Sequence, residues 1–137
     1  MADHPSAREV LEKVRAATIE NDPSIGELYA EDAVFELPFA PAGVPTRIES
    51  GAAIRAHLEK SVTASQARWG GLDFTAVHET PDPGLIFAEY EVYGTIAANG
   101  QPFRMGAFLI LRVRDGKIVE SRNYANPIAT TEAHSYD

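Results

Sequence analysis

Three polar residues of this 137-residue sequence have side chains suited to chemistry inside an apolar pocket. His57 can act as a base near neutral pH, or it can be a partly buried histidine that only hydrogen-bonds to a neighbour. Tyr90 can donate a hydrogen bond from an apolar wall, as oxyanion-stabilising groups do, or it can simply pack there. Asn123 can bind a ligand carbonyl or satisfy backbone groups at the end of a strand. These three residues are the catalytic candidates, with the packing alternatives left open.

Metal ions and cofactors have little support in the sequence. The four histidines, His4, His57, His78 and His134, are widely separated and show no paired ligand spacing on one element. There is no cysteine, which excludes a thiolate zinc site, a disulfide framework and a cysteine nucleophile. No glycine-rich phosphate loop, nucleophile elbow or dinucleotide fingerprint occurs. We therefore expect no metal and no cofactor.

The charge balance limits the partners. Acidic residues outnumber basic residues by 20 to 12, for a net charge of −8, which disfavours nucleic acid and anionic membranes. No apolar run approaches the roughly 18 residues of a membrane span. The N-terminus lacks the basic and apolar segments of a signal peptide. We expect a cytoplasmic protein.

Hydrophobic periodicity and capping signals predict three helices in the first half of the chain. The first covers Ser6 to Glu20, because Ser6 and Glu9 form a capping-box pattern. Asp22 followed by Pro23 predicts the start of a short second helix that carries Tyr29 inward. The third helix is predicted from Ala52 to Ser65.

Alternating apolar residues and turn dipeptides predict five strands. Asn99-Gly100 and Asp115-Gly116 are signals for two-residue hairpins, because both central residues of a type I′ turn need positive φ. Helices followed by strands predict an α+β fold with helices on one face of a curved, mostly antiparallel sheet. The predicted strands are Val34–Leu37, Leu72–Glu79, Leu85–Ala97, Gln101–Arg114 and Lys117–Tyr124.

Side chains on alternate sides of each strand give a map of the two sheet faces. The more apolar set is expected to face inward and to form a pocket of the kind that binds small hydrophobic molecules. The opposite face, with Phe87, Tyr93, Phe108 and Ile110, is the expected dimer surface. The predicted pocket residues are Phe35, Leu37, Phe39, Leu58, Trp69, Ile86, Val92, Met105, Ala107 and Leu109.

Two stretches of the sequence carry a family resemblance. The segment from Leu28 to Phe39, with Tyr29-Ala30-Glu31-Asp32-Ala33 and Pro38, and the later Gly51 and Ile54 form one stretch. The other contains Asn99-Gly100-Gln101-Pro102, Asp115-Gly116 and Asn126-Pro127. Together they resemble the nuclear-transport-factor-2-like superfamily, closest to its SnoaL-like and ketosteroid-isomerase-like branch. The resemblance covers nearly the whole chain. It implies one domain over residues 1–137, a cone-shaped barrel in which the sheet wraps around three N-terminal helices.

The resemblance also says where ketosteroid isomerases would carry their catalytic groups. The base precedes the proline of the first strand, and this chain has Leu37 there. The acid of the oxyanion hole falls near Leu109, and its tyrosine falls within Val14 to Thr18, where no tyrosine occurs. All three groups are absent, which argues against steroid isomerisation by that mechanism.

Three functions therefore remain open. The first is a cofactor-independent isomerase, cyclase or dehydratase acting on a small hydrophobic molecule, as the resemblance implies. The second is a non-catalytic binder of such a molecule, favoured by the missing isomerase groups. The third is a dimeric interaction module whose pocket is filled by its own side chains. A homodimer formed through the outer sheet face is expected in any of them.

Overall fold

A computed structural model describes residues 4–20, 22–40, 42–64 and 67–125. The first helix, α1, covers Ala7–Glu20. Its start is the predicted capping box, in which the Glu9 N–H donates to Ser6 Oγ and the Ser6 N–H donates to Glu9 Oε1, both at 3.1 Å. The second α-helix, α2, covers Gly51–Ala64, close to the prediction, whose last residue Ser65 lies outside the described residues.

The second predicted helix is instead a 3₁₀ helix of six residues, Pro23–Leu28. Asp22 caps it as expected, accepting a hydrogen bond from the Ser24 N–H at 2.9 Å. Tyr29 does not belong to this helix. It has extended backbone angles and pairs with Ile118 in the sheet, which ends the helix after about two turns. The described residues therefore form two α-helices and one short 3₁₀ helix.

Six strands form one sheet in the order β2-β1-β6-β5-β4-β3. All neighbouring pairs are antiparallel except β1 and β6, which run parallel. In the described residues β2 and β3 are the two edges, so the sheet is open and not the expected closed barrel. The strands are β1 Tyr29–Glu36, β2 Arg47–Glu49, β3 Ala67–Glu79, β4 Leu85–Ile96, β5 Pro102–Arg114 and β6 Lys117–Ala125.

The two predicted hairpin turns differ in the structure. Asp115 and Gly116 have φ angles of 52° and 76°, as a type I′ turn between β5 and β6 requires. Between β4 and β5 only Gly100 has a positive φ, 70°. There the loop has four residues, because the Ile96 N–H donates to the Gln101 carbonyl at 2.8 Å. The Asn99 side chain accepts from the Gln101 N–H at 2.9 Å, so Asn99 stabilises the turn without adopting a left-handed conformation.

The core lies between the helices and one face of the sheet. Val10 and Leu11 of α1 and Ile54 of α2 are almost fully buried there. Along β4, Ile86, Ala88 and Val92 are buried, as alternation predicted. This inner face joins two clusters of buried residues, a large one under α1 and α2 and a smaller one around Leu72, Val92 and Met105.

The outer face of the sheet carries a row of aromatic rings. Phe87 contacts Phe108 with ring centres 6.0 Å apart, and Phe108 contacts Tyr124 at 5.9 Å. Phe39 adds a fourth ring, 5.4 Å from Tyr124, and is 57% exposed. The prediction that Phe39 faces the pocket is therefore wrong. β1 ends at Glu36, and a turn follows in which the Ala40 N–H donates to the Leu37 carbonyl, so strand alternation no longer applies.

Candidate ligand-binding cavity

A cavity of about 190 Å³ lies between the inner face of the sheet and the helices. The helical side contributes residues from α1, the 3₁₀ helix and α2, and the sheet side contributes residues from five strands, all but β2. Its walls are mainly apolar, with five polar or charged side chains. The lining residues are Val14, Arg15, Thr18, Ile25, Tyr29, Phe35, Leu58, Trp69, Leu72, Phe74, Tyr90, Val92, Met105, Leu109 and Asn123.

One end of the cavity reaches the buried hydroxyl of Tyr29. Tyr29 is 5% exposed, and its hydroxyl is hydrogen-bonded with Ser121, which is 2% exposed. Burial raises the pKa of Tyr29 to about 12, against a lowering by the Ser121 hydrogen bond, and the nearby Tyr90 raises the pKa further. Both groups stay neutral near pH 7, so this end of the cavity is polar and uncharged.

Tyr90 projects from β4 into the cavity, with its ring edge-on to Phe74 at 6.4 Å. Burial raises the pKa of Tyr90 to about 12, so the phenol keeps its proton at any physiological pH. Among the described residues, no protein group hydrogen-bonds to the Tyr90 hydroxyl, and no buried side-chain oxygen or nitrogen is left unsatisfied. The hydroxyl is thus a hydrogen-bond donor open to the cavity.

Asn123 lines the cavity from β6, in register with Leu109 of β5. Its amide can donate and accept hydrogen bonds. Tyr90 and Asn123 lie on strands that flank β5, so the two side chains meet the same cavity from either side of Leu109. The structure thus brings together two of the three catalytic candidates.

His57, the third candidate, does not line the cavity. It lies on α2 behind Phe35, with ring centres 6.1 Å apart. Partial burial lowers the pKa of His57, and the positive charge of Lys60 lowers it further. The imidazole is therefore neutral near pH 7, but its neighbour Phe35, and not His57 itself, is among the residues that line the cavity.

The predicted pocket residues divide into two groups. Six of them line the cavity: Phe35, Leu58, Trp69, Val92, Met105 and Leu109. Four do not: Leu37, Phe39, Ile86 and Ala107. Leu37 follows the end of β1 and packs on the large core cluster, and Phe39 is on the outer face. Ile86 is 1% exposed within the core beneath α1, and Ala107 contributes only a methyl group between Tyr90 and Ala125.

The contribution of α1 was missed from the sequence. Thr18 lies one turn after Val14 and donates its hydroxyl to the Val14 carbonyl at 2.8 Å. Arg15 lies one turn after the buried Leu11, and its Nε donates to the Leu72 carbonyl of β3 at 2.8 Å. Thr18 and Arg15 each lie four residues after an apolar residue of α1. This helical spacing was the available sequence signal that their side chains face inward.

The positions that matter in ketosteroid isomerases can now be located. Leu109 lines the cavity, as do Val14, Arg15 and Thr18 from the turn of α1 where the isomerase tyrosine would lie. Leu37, at the position of the base, is outside it. Of the described residues that line the cavity, none is an aspartate, glutamate or histidine. The cavity therefore offers hydrogen-bond donors without a carboxylate base.

Metal binding and membrane spanning find no support in the described parts of the chain. No group of three or more histidine, aspartate or glutamate side chains there could hold a metal ion. No helix in the described ranges is long and apolar enough to cross a membrane.

Comparison with known proteins places the chain in a family. The family model of the SnoaL-like domain matches residues 9–121. The uncharacterised protein YesE of Bacillus subtilis (strain 168) is 35% identical over 134 residues, covering 97% of this chain and 90% of its own.

Solved structures agree in fold. A Bacillus subtilis crystal structure proposed to be an isomerase superposes with a TM-score of 0.83 at 36% identity, covering 93% of this chain and 91% of its own. A Catenulispora acidiphila DSM 44928 protein with a ketosteroid-isomerase-like fold, solved with trimethylamine, has a TM-score of 0.72 at 16% identity and covers 98% of this chain and 96% of its own. The chain belongs to the SnoaL-like domain family.

Proposed function

We propose that this SnoaL-like protein binds a ring-sized hydrophobic molecule and acts on it as a cofactor-independent isomerase, cyclase or lyase. The observation that carries the proposal is the protonated hydroxyl of the half-buried Tyr90, which faces an apolar cavity without a protein partner among the described residues. A hydrogen-bond donor in such a place would pair with an acceptor oxygen of the ligand. A relative of 36% identity proposed to be an isomerase supports the choice of an enzyme.

The volume of the cavity limits the size of the ligand. A cavity of about 150 Å³ lined by apolar side chains is large enough to hold benzene. At about 190 Å³, this cavity has room for one ring with a small substituent. A steroid nucleus with four fused rings would not fit without movement of the walls.

Tyr90 would act by stabilising negative charge on the ligand oxygen. When a proton leaves the carbon next to a carbonyl, charge develops on the oxygen, and a pre-positioned donor stabilises that charge more than the neutral carbonyl. Asn123 would supply a second donor from the neighbouring side of the cavity. Isomerisation, cyclisation and elimination of carbonyl compounds can all proceed through such an enolate.

Exchange of the methyl protons of acetophenone with D₂O, followed by proton NMR, tests this role. Acetophenone has one ring and a carbonyl, and the solvent supplies the base, so the assay isolates stabilisation of the enolate. We expect the protein to accelerate exchange and Tyr90→Phe to reduce the acceleration by about 100-fold. Tyr93→Phe, on the outer face of the same strand, is the matched control and should leave the rate unchanged. Equal rates in the wild-type and Tyr90→Phe proteins would refute the role of Tyr90.

A non-catalytic binder is the second candidate. The absence of a carboxylate or imidazole among the described lining residues favours it, because proton transfer usually needs such a group. In that case acetophenone would bind, detected by isothermal titration calorimetry, without any acceleration of exchange. Failure to bind any ring-sized compound would instead favour the interaction module.

We also propose a homodimer formed through the outer sheet face. The support is the row of four aromatic rings, Phe39, Phe87, Phe108 and Tyr124, which leaves apolar surface partly exposed. Exposed aromatic patches of this kind are typical of protein interfaces. Light scattering at micromolar concentration should give twice the monomer mass of 14.9 kDa, and a monomer would contradict the proposal.

A further inference from the structure

We propose that Arg15 is an anion-binding group of the cavity and that the ligand is a ring-sized carboxylic acid. This rests on the proposed function, which places a small molecule in the cavity, and adds the charge of that molecule. Arg15 is the one charged side chain among the described residues that line the cavity. A neutral hydrophobic ligand would gain nothing from a guanidinium in the wall, whereas a carboxylate would be paired by it.

One hydrogen bond to the sheet holds the Arg15 side chain in place. Its Nε donates to the Leu72 carbonyl at 2.8 Å, which holds the side chain of α1 against β3. This bond uses one of the five guanidinium N–H groups and leaves the terminal nitrogens free to turn to the cavity. A planar pair of N–H donors matches the two oxygens of a carboxylate.

The only acidic partner described for Arg15 holds it weakly. Glu12 Oε2 lies 3.9 Å from Nη1, beyond hydrogen-bond distance, and is more than half exposed. Exposed pairs of this kind contribute little. The Arg15 side chain is itself 38% exposed, so a ligand carboxylate would meet a guanidinium near the mouth of the cavity and keep part of its hydration.

Arg15 and Tyr90 line the same cavity. Leu72 pairs with Val92 and Phe74 pairs with Tyr90, so the backbone row that holds Arg15 lies two residues along β3 from the row of Tyr90. At about 3.3 Å for each residue of a strand, the two rows are roughly 7 Å apart. A ring with a carboxylate toward Arg15 and an acceptor oxygen toward Tyr90 would use both groups of the cavity.

A pair of nearly isosteric compounds tests the inference. Benzoate and benzamide have the same ring and nearly the same shape, but only benzoate is charged at neutral pH. Titration calorimetry at low salt should show benzoate binding to the wild-type protein about tenfold more tightly. Arg15→Gln should abolish this preference. Lys13→Gln removes the same charge from an exposed site on the same helix and should preserve it.

The ratio of the two affinities separates recognition from a structural role. If Arg15 only clamps α1 to β3, Arg15→Gln would weaken both compounds equally, and the inference would be wrong. It would also be wrong if the wild-type protein bound benzamide as tightly as benzoate, an outcome that leaves the proposed function intact. If neither compound bound, both the proposed function and the inference would fail.

Discussion

The two faces of the central sheet are built from the same strands and differ in what they do with polar groups. On the inner face of β4, the single polar side chain, Tyr90, lies among Ala88 and Val92 and has no protein partner among the described residues. On the outer face, Glu89 and Glu91 lie near His78 and Arg104. Exposed ion pairs contribute little to stability, whereas the half-buried Tyr90 hydroxyl offers a hydrogen bond to the cavity. We therefore propose that the inner face is the functional one.

The largest expected difference between the faces is in stability. Leu111 is 1% exposed on the inner face, and its neighbour Ile110 is half-buried on the outer face. Leu111→Ala should lower the free energy of unfolding by about 2–5 kcal/mol because it leaves a cavity in the core. Ile110→Ala should cost less than half as much. Urea denaturation of both variants measures the difference, and equal losses would remove the distinction between the faces.

The second prediction concerns association through the outer face. Phe108 lies in the middle of the aromatic row, in contact with Phe87 and Tyr124. Phe108→Lys should weaken dimerisation by about 30-fold, since a charge replaces a central apolar contact. Ala98→Lys, in the exposed loop between β4 and β5, adds the same charge away from the row and should have no effect. Sedimentation equilibrium gives the dimer dissociation constants of both variants. A Phe108→Lys protein that still dimerises normally would exclude this surface.

The third prediction concerns the space inside the inner face. Leu109 lies in the cavity wall, in register with Asn123. Leu109→Phe should fill part of the 190 Å³ and weaken binding of acetophenone by about tenfold, while costing about 1–3 kcal/mol of stability through overpacking. Leu109→Met keeps the volume and serves as the control. Unchanged affinity in Leu109→Phe would place the ligand elsewhere.

The smallest expected effect is a pH dependence at His57. Burial lowers its pKa in the folded protein below the ordinary 6.5, so the unfolded chain binds more protons in this range. Stability should therefore fall as the pH drops from about 6.5 toward the lowered pKa. His57→Gln should reduce this fall without changing ligand binding, because His57 is not among the residues that line the cavity. Urea unfolding midpoints of the wild-type and His57→Gln proteins at neutral and mildly acidic pH test this prediction. An equal loss of stability in the two proteins would contradict it.

Local signals allowed much of the fold to be predicted. The Ser6 and Glu9 pair gave the start of α1 because both partners lie within one turn. Alternation separated the buried Ile86 and Val92 from the exposed Glu89. Tyr29 was predicted to belong to the short second helix, whereas it pairs with a strand almost 90 residues further along the chain.

The cavity could be predicted only in part, for the same reason. The strand residues follow a period of two, and this pattern predicted the inward side of Tyr90 and Asn123. Arg15 reaches the cavity because α1 packs on β3, a contact with Leu72 that is 57 residues distant in sequence. Phe39 lies outside because a turn at Leu37 to Ala40 interrupts the strand period.

The central claim is that Tyr90 is the hydrogen-bond donor of a ligand cavity. The most direct measurement is the affinity of acetophenone for the wild-type, Tyr90→Phe and Tyr93→Phe proteins by titration calorimetry. The account predicts that Tyr90→Phe weakens binding by about 3- to 10-fold, the loss of one hydrogen bond, and that Tyr93→Phe binds like the wild type. Equal affinities for all three proteins would contradict it.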